Sequence, residues 1–372
     1  MHCWGRSDQG QLGYGNTNDI GDDELPAAAG TVDVGGNVTQ LTAGGSYACA
    51  LLDTGSVRCW GYGIHGRLGY ANTNNIGDDE TPASAGDVNV GGIVTQISAS
   101  NIHTCALLNT GSVRCWGYGD FGRLGYANTN NIGDDETPAS AGDVDVGGTV
   151  IQIASGFHHT CALLDTGSVR CWGTGTNGQL GYGNTNHIGD DESPATAGDV
   201  NVGGTVTQIT AGSNYTCALL NTGSVRCWGL GTFGRLGYAN TNNIGDNEAP
   251  ATAGNVNIGG LVTQISGRYT HTCALLDNGS VRCWGSGFVG ALGYGNTNNI
   301  GDDEMPATAG DVNVGGPVTQ VATGEHHNCV ILSNGFVRCW GRSQFGQMGY
   351  GDTNIIGDNP GEMPPGDVQV FE

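Results

Sequence analysis

Cys49-Ala-Leu-Leu-Asp-Thr-Gly-Ser-Val-Arg-Cys59, followed at once by Trp60-Gly61, is the stretch that decides the fold. Two apolar runs flank Asp53-Thr54-Gly55. That triplet reads as a three-residue hairpin loop with its glycine at the left-handed position of a type I turn with a bulge. Leu52 then faces Ser56, Leu51 faces Val57, and Cys49 lands opposite Cys59. Counting outward from the loop makes the cysteine pair a non-hydrogen-bonded site, where side chains approach most closely. A cross-strand disulfide fits there. The alternative is a pair of buried thiols acting as small apolar residues.

The stretch recurs along the chain. Trp4, Trp60, Trp116, Trp172, Trp228, Trp284 and Trp340 follow one another at intervals of 56 residues. Cysteines pair at the same period: Cys49 with Cys59, Cys105 with Cys115, Cys161 with Cys171, Cys217 with Cys227, Cys273 with Cys283 and Cys329 with Cys339. Cys3 is left over. Zinc sites use tighter spacings. Six copies of one favourable geometry point to disulfides, and so to an extracellular, cell-surface or periplasmic setting.

No segment shows a helical period. Short apolar runs bounded by Gly, Asn and Asp read as strands. In one unit they are A (Val94–Ile97), B (Thr104–Leu108), C (Val113–Trp116) and D (Asp143–Val146). Four-stranded units at this period are propeller blades. The expected fold is therefore an all-β β-propeller of four-stranded antiparallel blades, one domain over 1–372. It divides into a partial blade at 1–36 and units at 37–92, 93–148, 149–204, 205–260, 261–316 and 317–372. The chain opens on a C strand, so one A–B hairpin is missing and Cys3 lacks its partner strand. The sequence reads as a fragment or a processed chain. Its N-terminal half-blade is expected to be completed by further chain, to close imperfectly, or to pack on a neighbour.

The formal net charge is −23, and all 12 basic residues are arginine. Such a polyanion repels nucleic acid and anionic lipid at long range. No apolar run approaches the ~18 residues needed to span a bilayer. The expected partners are proteins or copies of the chain itself.

The pattern Gly-x-x-His-Thr-Cys-Ala-Leu-Leu-x-x-Gly-x-Val-x-x-Trp-Gly-x-x-x-x-Gly-x-Leu-Gly runs through the units. It resembles the regulator of chromosome condensation repeat. The resemblance implies a seven-bladed β-propeller. The cysteine pairs and the Asn-Thr-Asn-x-Ile-Gly-Asp-Asp-Glu insert look like a bacterial, exported subgroup. The family's founder exchanges nucleotide on a small GTPase and binds chromatin, which the acidic balance here disfavours. A bacterial relative inhibits β-lactamases by gripping them with one face, a role that suits this sequence better.

Comparison among the repeats locates candidate function. The B–C turns barely change. Variation gathers in the A–B loop and in the stretch after Trp-Gly. In an up-and-down blade these two loops emerge on the same side, so the variable positions are expected to share one face. Rigid folds carry recognition on such loops, and aromatic residues suit a protein-binding region. The candidate face comprises Tyr62, His65, Tyr118, Phe121, Phe157, His158, Phe233, Tyr269, Phe288, Phe345 and Arg342. Neutral drift is the competing account, but drift would scatter over both ends of the blade. A self-assembling structural subunit is the alternative function.

Other sites fare less well. His103, His159, His271 and His327 exchange with Tyr47 and Tyr215 at the same repeat position, which argues for packing with a polar tip rather than catalysis or metal ligation. The acidic triplets, such as Asp134-Asp135-Glu136, lack the alternating spacing of known calcium loops. They read as solvated turns capped by their own side chains. No cofactor is expected, with calcium the outside alternative. No Ser/His/Asp set is unique to one unit, so no catalytic residue is assigned.

Overall fold

A computed structural model describes residues 1–370. The last two positions of the final repeat range, 371 and 372, lie outside the described residues. Each of the six complete repeats forms a three-stranded antiparallel sheet. The first holds β1 (Val38–Ala43), β2 (Tyr47–Leu52) and β3 (Val57–Gly61). The second holds β4 (Val94–Ala99), β5 (His103–Leu108) and β6 (Val113–Gly117). The third holds β7 (Val150–Ser155), β8 (His159–Leu164) and β9 (Val169–Gly173). Then come β10 (Val206–Ala211), β11 (Tyr215–Leu220) and β12 (Val225–Gly229), followed by β13 (Val262–Arg268), β14 (His271–Leu276) and β15 (Val281–Gly285). The last set is β16 (Val318–Thr323), β17 (His327–Leu332) and β18 (Val337–Gly341).

The hairpin register is the one the sequence demands. Leu51 pairs with Val57 and Cys49 with Cys59. Leu52 donates its N–H to Ser56 O at 2.9 Å, and Gly55 sits at φ +80°. All six expected cysteine pairs are disulfides. Cys49 is bonded to Cys59, Cys105 to Cys115 and Cys161 to Cys171. Cys217 is bonded to Cys227, Cys273 to Cys283 and Cys329 to Cys339. Their Cα atoms lie 4.0–4.1 Å apart, because each pair occupies directly opposed strand positions.

The expected D strand is not a strand. Val144 N–H donates to Val113 O at 2.8 Å, but the next candidate, Val146 N–H, turns back onto Val144 O at 2.9 Å. That three-residue turn removes the segment from the ladder after one bond. Arginine holds it instead. Arg114 Nε bonds Asp143 at 2.8 Å while Nη1 reaches Val90 O of the preceding repeat at 2.6 Å. The same clamp recurs at Arg58, Arg170, Arg282 and Arg338. It also explains the invariant glycine at Gly91, φ +81°, since a Cβ there would run into the Arg114 guanidinium. The absence of helical signal was a second misreading. Pro82–Ala85, Pro138–Ala141, Pro194–Ala197, Pro250–Ala253 and Pro306–Ala309 each form a single helical turn, opened by proline at its first position.

The chain divides into two compact units. One comprises Met1–Ile20, Ala29–Thr174 and Asn186–Asp199, and the other Gly21–Ala28, Gly175–Thr185 and Val200–Glu372. Within each, successive repeats are joined by side chains. Gln40 Oε1 accepts Ile97 N–H at 2.9 Å and its Nε2 donates to Ile97 O at 2.8 Å, standing in for a strand neighbour. Gln96 does the same to Ile153, and in the second unit Gln208 to Ile265. The six tryptophans from Trp60 to Trp340 are fully buried. Each rests on the Leu-Gly of the preceding repeat, as Trp116 does on Gly69 and Trp284 on Gly237. Trp4 is partly exposed.

In the partial repeat no strand forms among the described residues. Val32 N–H bonds Met1 O at 2.9 Å and Gly5 bridges Ile20. No helix among the described residues is long and apolar enough to cross a membrane.

Candidate recognition loops

Within every complete repeat the two variable loops are bonded to each other. The residue after Trp-Gly donates its N–H to the last carbonyl of the A–B loop: Tyr62 to Ser46, Tyr118 to Ile102, Thr174 to His158, Leu230 to Asn214, Ser286 to Thr270 and Arg342 to His326, at 2.8–3.1 Å. The polar insert adds a second tie. Asn75 Oδ1 accepts Gly63 N–H at 3.1 Å, and Asn131, Asn243 and Asn299 act alike. The insert is therefore a strut for the loop as well as a capped turn. Its self-capping is also present, with Asn74 N–H on Asn72 Oδ1 at 2.9 Å.

The third tie comes in two chemistries. In three repeats an arginine lies under the loop: Arg67 Nε bonds Ile64 O, Arg123 Nε bonds Asp120 O and Arg235 Nε bonds Thr232 O, at 2.8–3.0 Å. In three others a glutamine does the work, with Gln11, Gln179 and Gln347 accepting the N–H of residue 9, 177 or 345 at 2.8 Å. The Gly-Arg-Leu-Gly recurrence was visible in the sequence, but its burial was not.

These ties fix the loop and leave its tip to vary. His65, Phe121, Phe233 and Val289 occupy the tip at φ between +52° and +63°. Only glycine enters this left-handed region freely, and a β-branched valine there is a true outlier. Phe121 and Phe233 are about half exposed and Phe288 more so, at 48, 49 and 57%. Phe157, Tyr269, Phe345 and Arg342 are partly buried.

In the first unit the candidates pack in small clusters of rings and guanidinium groups. Arg67 lies 5.2 Å over the Tyr62 ring, His65 stacks at 4.5 Å on Tyr118, and Arg123 lies 4.9 Å over Tyr118 and 5.8 Å over Phe121. Phe157 packs on His158 at 4.4 Å. In the second unit Tyr269 and Phe288 both make T-shaped contacts with His326, at 4.9 and 5.4 Å, and Arg235 lies 5.6 Å over Phe233.

The repeat histidines are linkers between repeats. His103 is fully buried, with Nδ1 on Ser100 Oγ at 2.7 Å and Nε2 on Thr160 Oγ1 at 2.8 Å. His271 Nε2 meets Asn328 Oδ1 at 2.8 Å. Tyr47 and Tyr215 reach the same neighbouring strand, donating to His103 O and His271 O. Burial keeps these imidazoles neutral, pushing His159 down to about 3 and His271 to about 4.

Five acidic triplets, Asp22-Asp23-Glu24, Asp78-Asp79-Glu80, Asp134-Asp135-Glu136, Asp190-Asp191-Glu192 and Asp302-Asp303-Glu304, each bring three carboxylate oxygens within 4.8 Å. Burial and a hydrogen bond that the protonated glutamate donates to the adjacent Asp raise Glu192 to about 7. The Cys3 thiol is pushed by burial to about 12, which keeps it in the unreactive protonated form.

Disulfide-stapled sheets at a 56-residue period, joined side by side, define a repeat β-propeller protein. The chain belongs to the RCC1-like domain family, whose profile matches residues 1–370. It is similar to the Ultraviolet-B receptor UVR8 of Arabidopsis thaliana, at 28% identity over 94% of this chain and 74% of that protein. It is also 27% identical to the E3 ubiquitin-protein ligase HERC2 of Mus musculus, over 88% of this chain but 6% of HERC2's length. Prp20p from Saccharomyces cerevisiae, described with its binding to Gsp1p and histones, shares the fold at a TM-score of 0.76 and 20% identity, covering 99% of this chain and 85% of that one.

Proposed function

We propose that this chain is a non-catalytic recognition scaffold that grips a protein partner with the loops following strands A and C. In this reading it is a seven-bladed propeller whose blades each carry the D segment as a fourth, clamped element. It works in an oxidising, extracytoplasmic setting. The supporting observation is the pairing of a tightly tied loop base with a bulky residue strained at its tip. Strain of order 1–3 kcal/mol persists where the surroundings over-determine a conformation, and it gathers at binding sites. Relatives support a scaffold role: UVR8 is a receptor, and yeast RCC1 has been crystallised with Kap60 bound. The six disulfides support the compartment.

The test replaces Phe121, Phe233 and Phe345 together by serine. Loss of partner capture with unchanged folding is the expected result. Retained capture overturns the reading, and self-association seen by light scattering would favour the structural-subunit alternative instead.

A further inference from the structure

Six of the 12 arginines occupy the clamp position of Val-Arg-Cys-Trp-Gly. The other six, Arg6, Arg67, Arg123, Arg235, Arg268 and Arg342, all fall in or beside the variable loops. Of the 35 acidic residues only Asp8, Asp120 and Glu325 do so. By sequence the loops thus carry more arginine than acidic residues, while Asp134 of the next repeat's insert also acts on His65.

Arg123 is the extreme case. It is 1% exposed and makes no ion pair among the described residues. Its Nε is spent on Asp120 O. Neither Nη makes a hydrogen bond among the described residues, and Nη1 is sealed from solvent. The nearby Asp120 carboxylate accepts the Tyr118 hydroxyl instead. Around it, the imidazole of His158 is neutral, held at about 4 by burial and by Arg123 itself. Burial lowers Arg123 to about 10 while the nearby Asp120 carboxylate acts against the shift, so the guanidinium keeps its charge at neutral pH. A buried charge without a hydrogen-bonded ion pair costs several kcal/mol. The fold does not require it, because Gln179 holds the same loop in the next repeat without a charge.

We propose that Arg123, walled by Tyr118 and Phe121, is the receiving site for an Asp or Glu side chain of a partner protein, so that the variable loops recognise an acidic segment. A planar guanidinium with both Nη groups unbonded matches a carboxylate bidentately. The exposed Phe121 ring lies over the guanidinium, 5.8 Å from it, and this ring must rotate to admit the carboxylate. Arg67 lies under Tyr62 in the same way one repeat earlier, with its Nη1 spent on Asn101 O. The inference rests on the reading of these loops as recognition elements.

The probe is a fluorescent octaglutamate peptide, titrated by anisotropy against the whole chain, with an octaglutamine peptide and inorganic phosphate as competitors. Octaglutamate should bind, weaken with salt, and resist both competitors. Arg123→Gln, which installs the residue that position 179 already tolerates, should weaken binding about tenfold, corresponding to about 1.4 kcal/mol. Absent binding, binding unchanged in Arg123→Gln, or equal displacement by phosphate overturns the inference. Should that variant fail to fold, protection of Arg123 from phenylglyoxal by octaglutamate on the unaltered chain decides: protection supports the site, and free modification overturns it. Loss of a partner in the triple phenylalanine variant without any octaglutamate binding leaves loop recognition standing and removes only the acidic chemistry.

Discussion

The repeat spanning 93–148 carries two loops of opposite character. The turn Asn109-Thr110-Gly111 takes its shape from local rules, with Asn109 N–H on Ile93 O and Val150 N–H on Gly111 O anchoring its flanks. Gly111 sits at φ +82°, its N–H returns to Leu108 O at 2.9 Å, and Leu108 N–H closes on Ser112 O at the same distance. The loop Tyr118–Arg123 at the other end is held along its interior, by Ile102 O and Asn131 from outside the loop and by its own Arg123 from beneath. Phe121 stands at φ +60° where local rules ask for glycine. A turn built locally keeps its glycine and the short polar residues before it, as Asp277-Asn278-Gly279 does with the same closing bonds. A loop held from below can vary its tip, even at a cost in strain, and that freedom is what recognition needs.

The framework behind both loops should give the largest response to mutation. Trp116→Ala empties a fully buried site and should cost about 3–5 kcal/mol, read by chemical denaturation. Phe121→Ser should stay within about 0.5 kcal/mol of the parent. Equal costs would erase the distinction between framework and loop.

The disulfide behind the local turn comes next. Replacing Cys105 and Cys115 by serine reopens a loop of ten residues and should cost about 2–3 kcal/mol. Thiol titration of denatured, unreduced protein should find one free thiol, Cys3. More than one would break the register on which the turn depends.

A pH test probes the ties between repeats. His103 is held neutral well below its usual range by burial. Its unfolded counterpart takes up a proton below about pH 6.5, so this residue's contribution to stability is full above that pH and falls as the solution is acidified. His103→Tyr, which copies Tyr47, should therefore lose less stability than the parent between pH 7 and pH 5, by about 1–2 kcal/mol. Identical acid sensitivity would mean that His103 is not neutral in the fold.

The smallest effects compare the loops directly. Gly111→Ala forces a side chain into the left-handed region against Thr149, 2.6 Å away, and should cost about 1–2 kcal/mol. Phe121→Gly should instead stabilise by up to about 1 kcal/mol by releasing strain, while weakening partner binding. A destabilised Phe121→Gly would show that the ring contributes more by packing than the backbone loses.

The hairpin was legible because each of its determinants lies within eleven residues, from Cys49 to Cys59. The histidine–tyrosine exchange was legible for a similar reason. Both side chains end in a polar group, and the structure uses those groups to reach the next repeat. The D strand was misread because Asp143-Val-Asp-Val146 has a strand's alternation. Its second N–H is captured by the local turn at Val144, and an arginine from strand C holds the segment in place. The single helical turns after Asp-Asp-Glu were missed because four residues are too few to show a period.

By itself, then, the sequence determined the repeat, the disulfide register and the turn chemistry, since each follows from the steric and hydrogen-bonding needs of a few neighbouring residues. Only the tertiary structure decided where the charges and the strain reside. Whether Arg123 lies in water or sealed under Tyr118 and Phe121, and whether Phe121 must adopt a left-handed backbone, depends on ties to Ile102 and Asn131. Burial and ion pairing are properties of surroundings, and a chain acquires its surroundings only when distant segments pack together.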